Sequence, residues 1–166
     1  IYRPVWLEVS PKTHIQNIAV NPKMDGSITV DLNLEDISKN TLLEVSLSDK
    51  DGENFSVFTF PIKAKTTKET ITAKWNNIKA WNPETPNLYN LKLVLKQNGT
   101  ALHEYDKKIG FRTLEFKKKD GIYVNGTKII MKGINRHSFW PEGGRSTSKR
   151  ISELDVKLIK DMNRTG

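Results

Sequence analysis

Between residues 13 and 113, short segments of alternating apolar and polar side chains are separated by Asp-Gly or Asn-Gly pairs. A period of two predicts strands with one buried face, because successive side chains of a strand point to opposite sides of the sheet. Each Asx-Gly pair predicts a tight turn, since the favoured hairpin turns require positive φ. Seven such strands over about 100 residues are typical of an immunoglobulin-like β-sandwich. The clearest alternations are Ile28/Val30/Leu32/Leu34, Leu43/Val45/Leu47, Ile71/Ala73/Trp75 and Tyr89/Leu91/Leu93/Leu95, with weaker strands expected at about 13–21, 54–62 and 101–111.

The segment 81–89 is the most unusual part of this region because it contains two prolines. Proline fixes φ and forbids a helix, so a stiff, extended entry into the following strand is expected. Trp81 is expected to cover one end of the sandwich. A sugar-stacking role for Trp81 is the weaker alternative, because nothing nearby in the sequence supplies polar partners for a sugar. His14 and His103 stand alone among polar strand residues and are expected to be solvated.

The alternation changes phase near Arg112, which places a predicted domain boundary just after it. Residues 122–131 are predicted to form a hairpin around an Asn-Gly turn. A short apolar strand is expected to follow and to end in Asn135-Arg136-His137. Strand ends of this kind carry the active-site residues of α/β enzymes. Spacing alone favours ordinary solvated polar residues at such a position.

After a loop at 138–145, a helix is predicted to begin near Ser148, a residue type that caps helices well. Its apolar residues recur at i, i+3, i+7 and i+11 and form one stripe. A hairpin, a strand and a helix cannot build a core alone, so residues 114–166 are expected to belong to a larger βα architecture. The missing initiator Met leads us to expect that the chain starts inside a longer protein. The stripe comprises Ile151, Leu154, Leu158 and Met162.

The net charge of +8 does not indicate nucleic-acid binding, because the basic residues show no aromatic interleaving that could stack bases. Residues 1–113 hold 15 basic and 13 acidic residues, and residues 114–166 hold 12 basic and 6 acidic residues.

Cysteine is absent, which excludes disulfides, thiolate metal sites and a Cys nucleophile in this chain. No apolar run approaches the roughly 18 residues that predict a membrane span.

Four motifs, in this order along the chain, resemble glycoside hydrolase family 2, the group of β-galactosidases, β-glucuronidases and β-mannosidases. The last of them is closest to β-galactosidase-type members. Residues 1–7 are similar to the exit from the family's jelly-roll domain, and 81–89 is similar to its Trp-x-Pro-Glu-x-Pro-x-Leu-Tyr segment. Ile109-Gly110-Phe111-Arg112 matches the motif that closes its immunoglobulin-like domain. Residues 121–137 are similar to its Asn-Gly hairpin and first barrel strand, which ends in Gly-x-Asn-Arg-His.

This resemblance implies a mainly β fold class with three parts. Residues 1–12 would be a linker or strand leaving an upstream jelly-roll domain, 13–113 the immunoglobulin-like sandwich, and 114–166 the N-terminal piece of an incomplete (β/α)8 TIM barrel. The parent would be a retaining glycosidase, whose two catalytic Glu side chains lie about 5–5.5 Å apart and act as acid/base and nucleophile. Both would lie downstream of the first barrel helix, so no catalytic residue and no turnover are expected in this chain alone. Glu142 and Glu153 stand in no matching motif.

By the same resemblance, Asn135, Arg136, His137 and Trp140 are the candidate substrate-binding residues of the intact enzyme. His137 is expected to contact the sugar, whereas Arg136 is expected to have a structural role. Trp140 either stacks on a sugar ring or packs its own loop. The residues after His137 depart from the family pattern, which leaves the identity of the sugar open. Metal use is open as well, with Mg²⁺ or Na⁺ as the ions that the parent would bind, and no ligand cluster is visible in this sequence.

The expected partners are a carbohydrate substrate and the remaining domains of the parent chain, with a homo-oligomer left open. Neither nucleic acid nor a membrane is an expected partner. The location is unknown from the sequence, with a periplasmic or secreted bacterial protein favoured over a cytoplasmic one. The alternative function is a stand-alone immunoglobulin-like binding or adhesion module without enzymatic activity. The amphipathic helix argues against this alternative, because such a module has no use for it.

Overall fold

A computed structural model describes Val5 and residues Leu7–Met162, which form two compact units. The larger unit comprises Val9–Thr127, and the smaller comprises Lys128–Gly166 with Ile1–Glu8. The predicted exit from a jelly-roll domain falls largely on residues 1–4 and 6, outside the described residues. The strands are β1 (His14–Pro22), β2 (Ser27–Glu35), β3 (Thr41–Ser48), β4 (Phe58–Ile62), β5 (Lys68–Lys74), β6 (Tyr89–Gln97), β7 (Thr100–Ile109), β8 (Leu114–Lys117), β9 (Gly121–Val124) and β10 (Thr127–Ile129), followed by the helix α1 (Lys149–Asp161).

The first seven strands form the predicted sandwich. One sheet has the order β1-β2-β5 and the other the order β4-β3-β6-β7, and every pairing is antiparallel. The period-two pattern of burial is clearest in β2, where Ile28, Val30, Leu32 and Leu34 are all buried. The predicted Asx-Gly turns are present, with positive φ at Gly26, Gly52 and Gly99. The fold class predicted from the sequence is therefore confirmed for this part of the chain.

An aromatic cluster fills the end of the sandwich core near Phe111, which is fully buried. The ring of Phe111 meets those of Tyr89 and Trp75 edge to face, at centroid distances of 5.4 and 6.4 Å. Both polar groups of these neighbours are satisfied, as buried polar groups require. The indole N–H of Trp75 donates to the carbonyl of Ser56 at 2.7 Å, and the backbone N–H of Lys79 donates to the Tyr89 hydroxyl at 2.8 Å.

His14 and His103 are not separately solvated, and this expectation was wrong. The two rings are half-buried and meet edge to face, with centroids 5.8 Å apart. The backbone N–H of Ile15 also donates to Nδ1 of His103 at 3.3 Å. His14 lies on β1 and His103 on β7, which are edge strands of the two sheets. The sequence could not show this contact, because the two residues are 89 positions apart in the numbering and each strand is locally polar.

The hairpin that follows the sandwich is fixed to it by the side chain of Asn125. Its amide Nδ2 donates to the carbonyl of Trp81 at 2.9 Å, and its Oδ1 accepts from the backbone N–H of Thr113 at 2.9 Å. The Asn125 backbone N–H donates to the Thr113 carbonyl at 2.8 Å. Asn125 and Gly126 have φ of 51° and 78°, which confirms the predicted tight turn. Strands β8, β9 and β10 form a three-stranded sheet in the order β10-β9-β8.

Trp81 packs against the Ile-Gly-Phe-Arg motif, as its predicted structural role requires. The Trp81 backbone N–H donates to the Phe111 carbonyl at 2.8 Å, and the Arg112 guanidinium carbon lies 5.0 Å from the centroid of the indole ring. A Cβ on Gly110 would stand only 2.8 Å from Cδ1 of Trp81, so a side chain at this position would displace the indole. Glycine is therefore the residue that lets the Trp81 ring lie on the backbone here.

In the smaller unit, the predicted helix α1 forms and Ser148 is its N-cap. The Ser148 side chain accepts from the backbone N–H of Ile151 at 3.3 Å. Ile151 is the buried residue of the helix, whereas the rest of the predicted apolar stripe, Leu154, Leu158 and Met162, is 41 to 57% exposed. Within the described part of the chain, no helix has the length and apolarity that crossing a bilayer requires.

Candidate functional site

The predicted strand ending in Asn135-Arg136-His137 is not formed as a strand. Residues 130–139 have no strand assignment, and every one of them is exposed. A central barrel strand is held by hydrogen bonds to neighbours on both sides, and no described strand pairs with this segment. The expectation of a regular strand here was therefore wrong for the chain as it stands, while the hairpin before it and the helix after it are present.

Arg136 connects this segment to helix α1. Its Nε donates to Oδ2 of Asp155 at 2.6 Å, and its Nη2 reaches the same oxygen at 2.5 Å. Both side chains are partly shielded, with 31% and 30% exposure. The contact combines one charge-assisted hydrogen bond from Nε with an ion-pair contact of Nη2 to the same carboxylate oxygen. The contact therefore ties the Asn-Arg-His segment to helix α1.

Two serines extend this contact. Nη2 of Arg136 lies 3.5 Å from Oγ of Ser152, and Nη1 lies 3.5 Å from Oγ of Ser138. Ser152 and Asp155 are three residues apart on α1 and so share a face of the helix. Ile151, the buried residue of α1, lies four residues before Asp155 and so one helical turn away from it. Ser152 and Asp155 were not predicted, because the local sequence does not distinguish them from the other polar residues of an amphipathic helix.

Asn135 and His137, on either side of Arg136, are both exposed. An asparagine amide offers two donors and an acceptor, and an imidazole offers one of each in its neutral form. Such groups match the paired donors and acceptors of sugar hydroxyls. The structure thus leaves the two candidate contact residues accessible and anchors the arginine between them.

Trp140 begins a tight loop. Its backbone N–H donates to the Gly144 carbonyl at 2.8 Å, and the Gly144 N–H donates back to the Trp140 carbonyl at 2.7 Å. Gly144 has φ of +57°, and a Cβ on Gly143 would stand 2.8 Å from the Ser146 carbonyl oxygen. The Trp140 side chain is half-buried. The backbone of Trp140 therefore has a clear role in the loop.

The described residues contain no group of three or more His, Cys, Asp and Glu side chains placed to hold a metal ion. Glu142 lies exposed in the Trp140 loop. Glu153 is exposed on α1, where its carboxylate lies 3.6 Å from the Lys149 ammonium group. Neither environment is the shielded one in which carboxylates act as catalytic acids.

The larger unit also has an open cleft of about 910 Å³, lined mainly by residues 49–56, 74–79 and 85–90. Two polar residues that line the cleft, Asp49 and Lys74, have hydrogen-bond or ion-pair partners within the larger unit. Oδ1 of Asp49 accepts from the backbone N–H groups of Asp51 and Glu53, both at 2.9 Å. Lys74 pairs with Asp25 at 3.1 Å. The cleft therefore reflects loop structure and adds no residue to the candidate site.

Two family models match the chain in succession. Residues 13–112 match the model described as glycosyl hydrolases family 2, and residues 115–165 match that described as glycosyl hydrolases family 2, TIM barrel domain. The candidate residues 135–140 fall inside the second match. The predicted domain boundaries at 12/13 and 113/114 remain predictions, since the compact units divide the chain at Thr127.

Among curated relatives, a β-galactosidase of Thermoanaerobacterium thermosulfurigenes is 33% identical over 97% of this chain and 24% of its own length. A β-galactosidase of Lactobacillus delbrueckii subsp. bulgaricus is 30% identical over 98% of this chain and 16% of its own length. The chain thus spans about a quarter of the first relative and a sixth of the second.

Solved structures show the same architecture. A β-glycosidase from Bacteroides vulgatus has a TM-score of 0.76 and 27% identity, covering 97% of this chain and 21% of its own. A β-glucuronidase from Parabacteroides merdae has a TM-score of 0.75 at 19% identity, covering 93% of this chain and 20% of its own. The second likeness concerns the fold alone.

Proposed function

Because the chain belongs to glycosyl hydrolases family 2, we propose that it acts as the sandwich and the opening barrel segment of a longer retaining β-galactosidase. The observation that carries the proposal is the succession of the two family matches in one chain, with Asn135-Arg136-His137 inside the second. Two relatives with 30 and 33% identity over nearly the whole chain carry the name β-galactosidase, whereas a third, 31% identical, carries a β-glucuronidase name.

In this proposal the sandwich is a structural spacer, and the Asn-Arg-His segment contributes to the sugar pocket. His137 and Asn135 hydrogen-bond to hydroxyl groups of the bound sugar, and their exposure in this chain leaves them available for that role. Arg136 is occupied by Asp155 and serves to hold the segment. Trp140, half-buried in its loop, contributes its ring to stacking on the sugar.

The hydrolysis itself requires a pair of carboxyl groups about 5–5.5 Å apart, one as acid/base and one as nucleophile. We assign neither role to a residue of this chain, because Glu142 and Glu153 are exposed and stand in no matching motif. The 166-residue chain is therefore expected to bind no sugar productively and to hydrolyse no glycoside.

Mg²⁺ or Na⁺ remains part of the proposal only for the intact enzyme. The described residues do not fit a metal site, since they gather no ligand cluster, and no step of the reaction is assigned to a metal.

The proposed partners are other domains of the parent, a carbohydrate substrate and further copies of the chain. A periplasmic or secreted location is proposed over a cytoplasmic one.

The experiment is an assay of the full-length protein that carries this chain, with p-nitrophenyl β-D-galactoside and, in parallel, the β-D-glucuronide. Hydrolysis of the galactoside is expected, and His137→Ala should lower kcat/KM about 10- to 100-fold, the worth of one or two lost hydrogen bonds. Glu153→Gln is the matched control, because Glu153 is exposed and contacts only the neighbouring turn of its helix among the described residues.

Absence of hydrolysis of every aryl glycoside tried would overturn the proposed activity. Hydrolysis of the glucuronide alone would change the proposed sugar from galactose to glucuronic acid, and the proposed glycoside hydrolysis would stand. Turnover by the purified 166-residue chain that persists after repurification would show that this chain contains catalytic groups of its own.

A further inference from the structure

We propose that Asp155 is a positioning residue, which acts through Arg136 to hold Asn135 and His137 in place. The inference rests on the proposed function for its effect on activity, and on the geometry of this chain for its effect on structure. Asp155 has no sequence motif that indicates such a role, and it lies 18 positions beyond His137.

The guanidinium of Arg136 meets Asp155 through two of its nitrogens. Nε and Nη2 of Arg136 both reach Oδ2 of Asp155, at 2.6 and 2.5 Å. Because a guanidinium is planar and rigid, the Nε–H hydrogen bond to Asp155, with Nη2 close to the same oxygen and to Ser152, restricts the orientation of the whole group. About 30% of each side chain remains exposed, so the pair is partly removed from water, and solvent screens it less than a fully exposed pair.

Asp155 is itself held in position by the helix α1. It lies in the middle of α1, whose first turn is capped by Ser148 and whose buried residue is Ile151. Ser152, one turn before Asp155, adds a second oxygen 3.5 Å from Nη2 of Arg136. The carboxylate therefore belongs to a regular element, whereas the segment that it holds has no regular structure.

Arg136 is joined directly through the backbone to both of its neighbours. Asn135 and His137 are each joined to Arg136 by one planar peptide unit, so their Cα atoms lie about 3.8 Å from that of Arg136. The segment has no strand pairing that could fix them in another way among the described residues. Loss of the Asp155 contact should therefore displace both candidate sugar contacts, and a displacement of about 1 Å near the reacting bond lowers rates strongly.

The test uses two readouts on Asp155→Asn, which keeps the size of the side chain and removes its charge. In the ¹⁵N-labelled 166-residue chain, the Arg136 Nε–H signal should lose its protection from water exchange, and the His137 amide and imidazole signals should shift. In the full-length protein, kcat with the aryl galactoside should fall about 10- to 100-fold, with KM changed less. Asp155→Glu should restore part of the loss, because it returns the charge.

Glu153→Gln on the same helix is the control, and neither readout should change in it. If Asp155→Asn does not fold, Arg136→Lys is the second variant; it keeps the charge, removes the fork and should shift the His137 signals likewise. Unchanged His137 signals in the folded variant would overturn the inference. A wild-type protein without glycosidase activity would overturn the proposed function instead, and the labelled chain would still decide whether Asp155 positions the segment.

Discussion

The side-chain amide of Asn125 donates a hydrogen bond to the backbone carbonyl of Trp81 at 2.9 Å, across 44 positions of sequence. The same side chain accepts from the Thr113 N–H, so one residue of a turn connects the hairpin to two segments of the sandwich. This bond joins two of the motifs that mark the family, the Trp-Asn-Pro segment and the Asn-Gly hairpin.

Replacing Asn125 by Ala should destabilise the larger unit by about 2–3 kcal/mol. The change removes two hydrogen bonds, worth about 1 kcal/mol each, and leaves at φ 51° a residue that tolerates the left-handed conformation less well than Asn does. Asn125→Gly should cost about 1 kcal/mol less than Asn125→Ala, because glycine tolerates that φ. Urea unfolding of the three proteins measures the difference, and equal midpoints for wild type and Asn125→Ala would refute the role of the side chain.

Gly110→Ala should destabilise the sandwich by about 1–3 kcal/mol, as overpacking of a well-filled site does. The new Cβ would stand 2.8 Å from Cδ1 of Trp81, which must move away. Gly133→Ala is the matched control, since a Cβ there meets nothing within 4 Å. Thermal unfolding measures both. In a Trp81→Leu background the penalty of Gly110→Ala should shrink, and a penalty of full size there would locate the clash elsewhere.

Because of Asp25, part of the folding stability of the larger unit depends on pH in the acid range. Hydrogen bonds from the Ser27 hydroxyl and backbone N–H, together with Lys74, lower the pKa of Asp25 from 3.8 to about 2. A lowered folded-state pKa stabilises the fold above the unfolded value, and this contribution disappears as pH falls from about 4 to about 2. Asp25→Asn should therefore lower the urea midpoint at pH 6 and have little effect near pH 2.

The control for this measurement is Asp51→Asn, which changes an exposed carboxylate in another turn. Its effect on the midpoint should be small at both values of pH. An Asp25→Asn penalty that stays the same down to pH 2 would mean that the substitution acts through turn geometry and not through charge.

Ile151→Ala and Leu158→Ala should differ sharply, although both residues belong to the predicted apolar stripe. Ile151 is 5% exposed and Leu158 is 51% exposed. Truncation of a buried Ile costs about 2 kcal/mol or more, whereas exposed positions change stability by about 0.5 kcal/mol or less. Amide hydrogen exchange across residues 152–161 measures the opening of α1. Similar acceleration in both variants would indicate that Leu158 is covered in solution.

The sandwich was predictable because burial in a sheet repeats every two residues, and Ile28 through Leu34 show that period without ambiguity. The Asn-Gly turn at Asn125 and the Ser148 cap were predictable for a related reason, since both depend on local backbone chemistry. The contact of His14 with His103 was not, because no local pattern encodes a pairing between strands so far apart. The predicted strand before His137 failed because strand structure requires a neighbour, which local sequence does not supply.

The candidate site was predictable only in part. The resemblance pointed to Asn135, Arg136, His137 and Trp140, but the partner of Arg136 is an aspartate 19 positions later, on another element. Such a pairing depends on how the helix packs, and Asp155 in the sequence looks like any polar residue of an amphipathic helix. The substrate role of these residues remains a prediction.

The two Asn-Gly turns are also the sites where slow deamidation of the protein is expected. Asparagine before glycine slowly loses its amide, because the next backbone nitrogen attacks the side-chain carbonyl, and asparagine is accordingly a labile residue. Asn98 lies exposed on its turn, whereas the amide of Asn125 is held by Trp81 and Thr113. Stored protein should therefore accumulate the acidic form at Asn98 first, with the link between hairpin and sandwich intact. Conversion at Asn125 comes later, and each event there replaces a hydrogen-bond donor with a charge facing the Trp81 carbonyl.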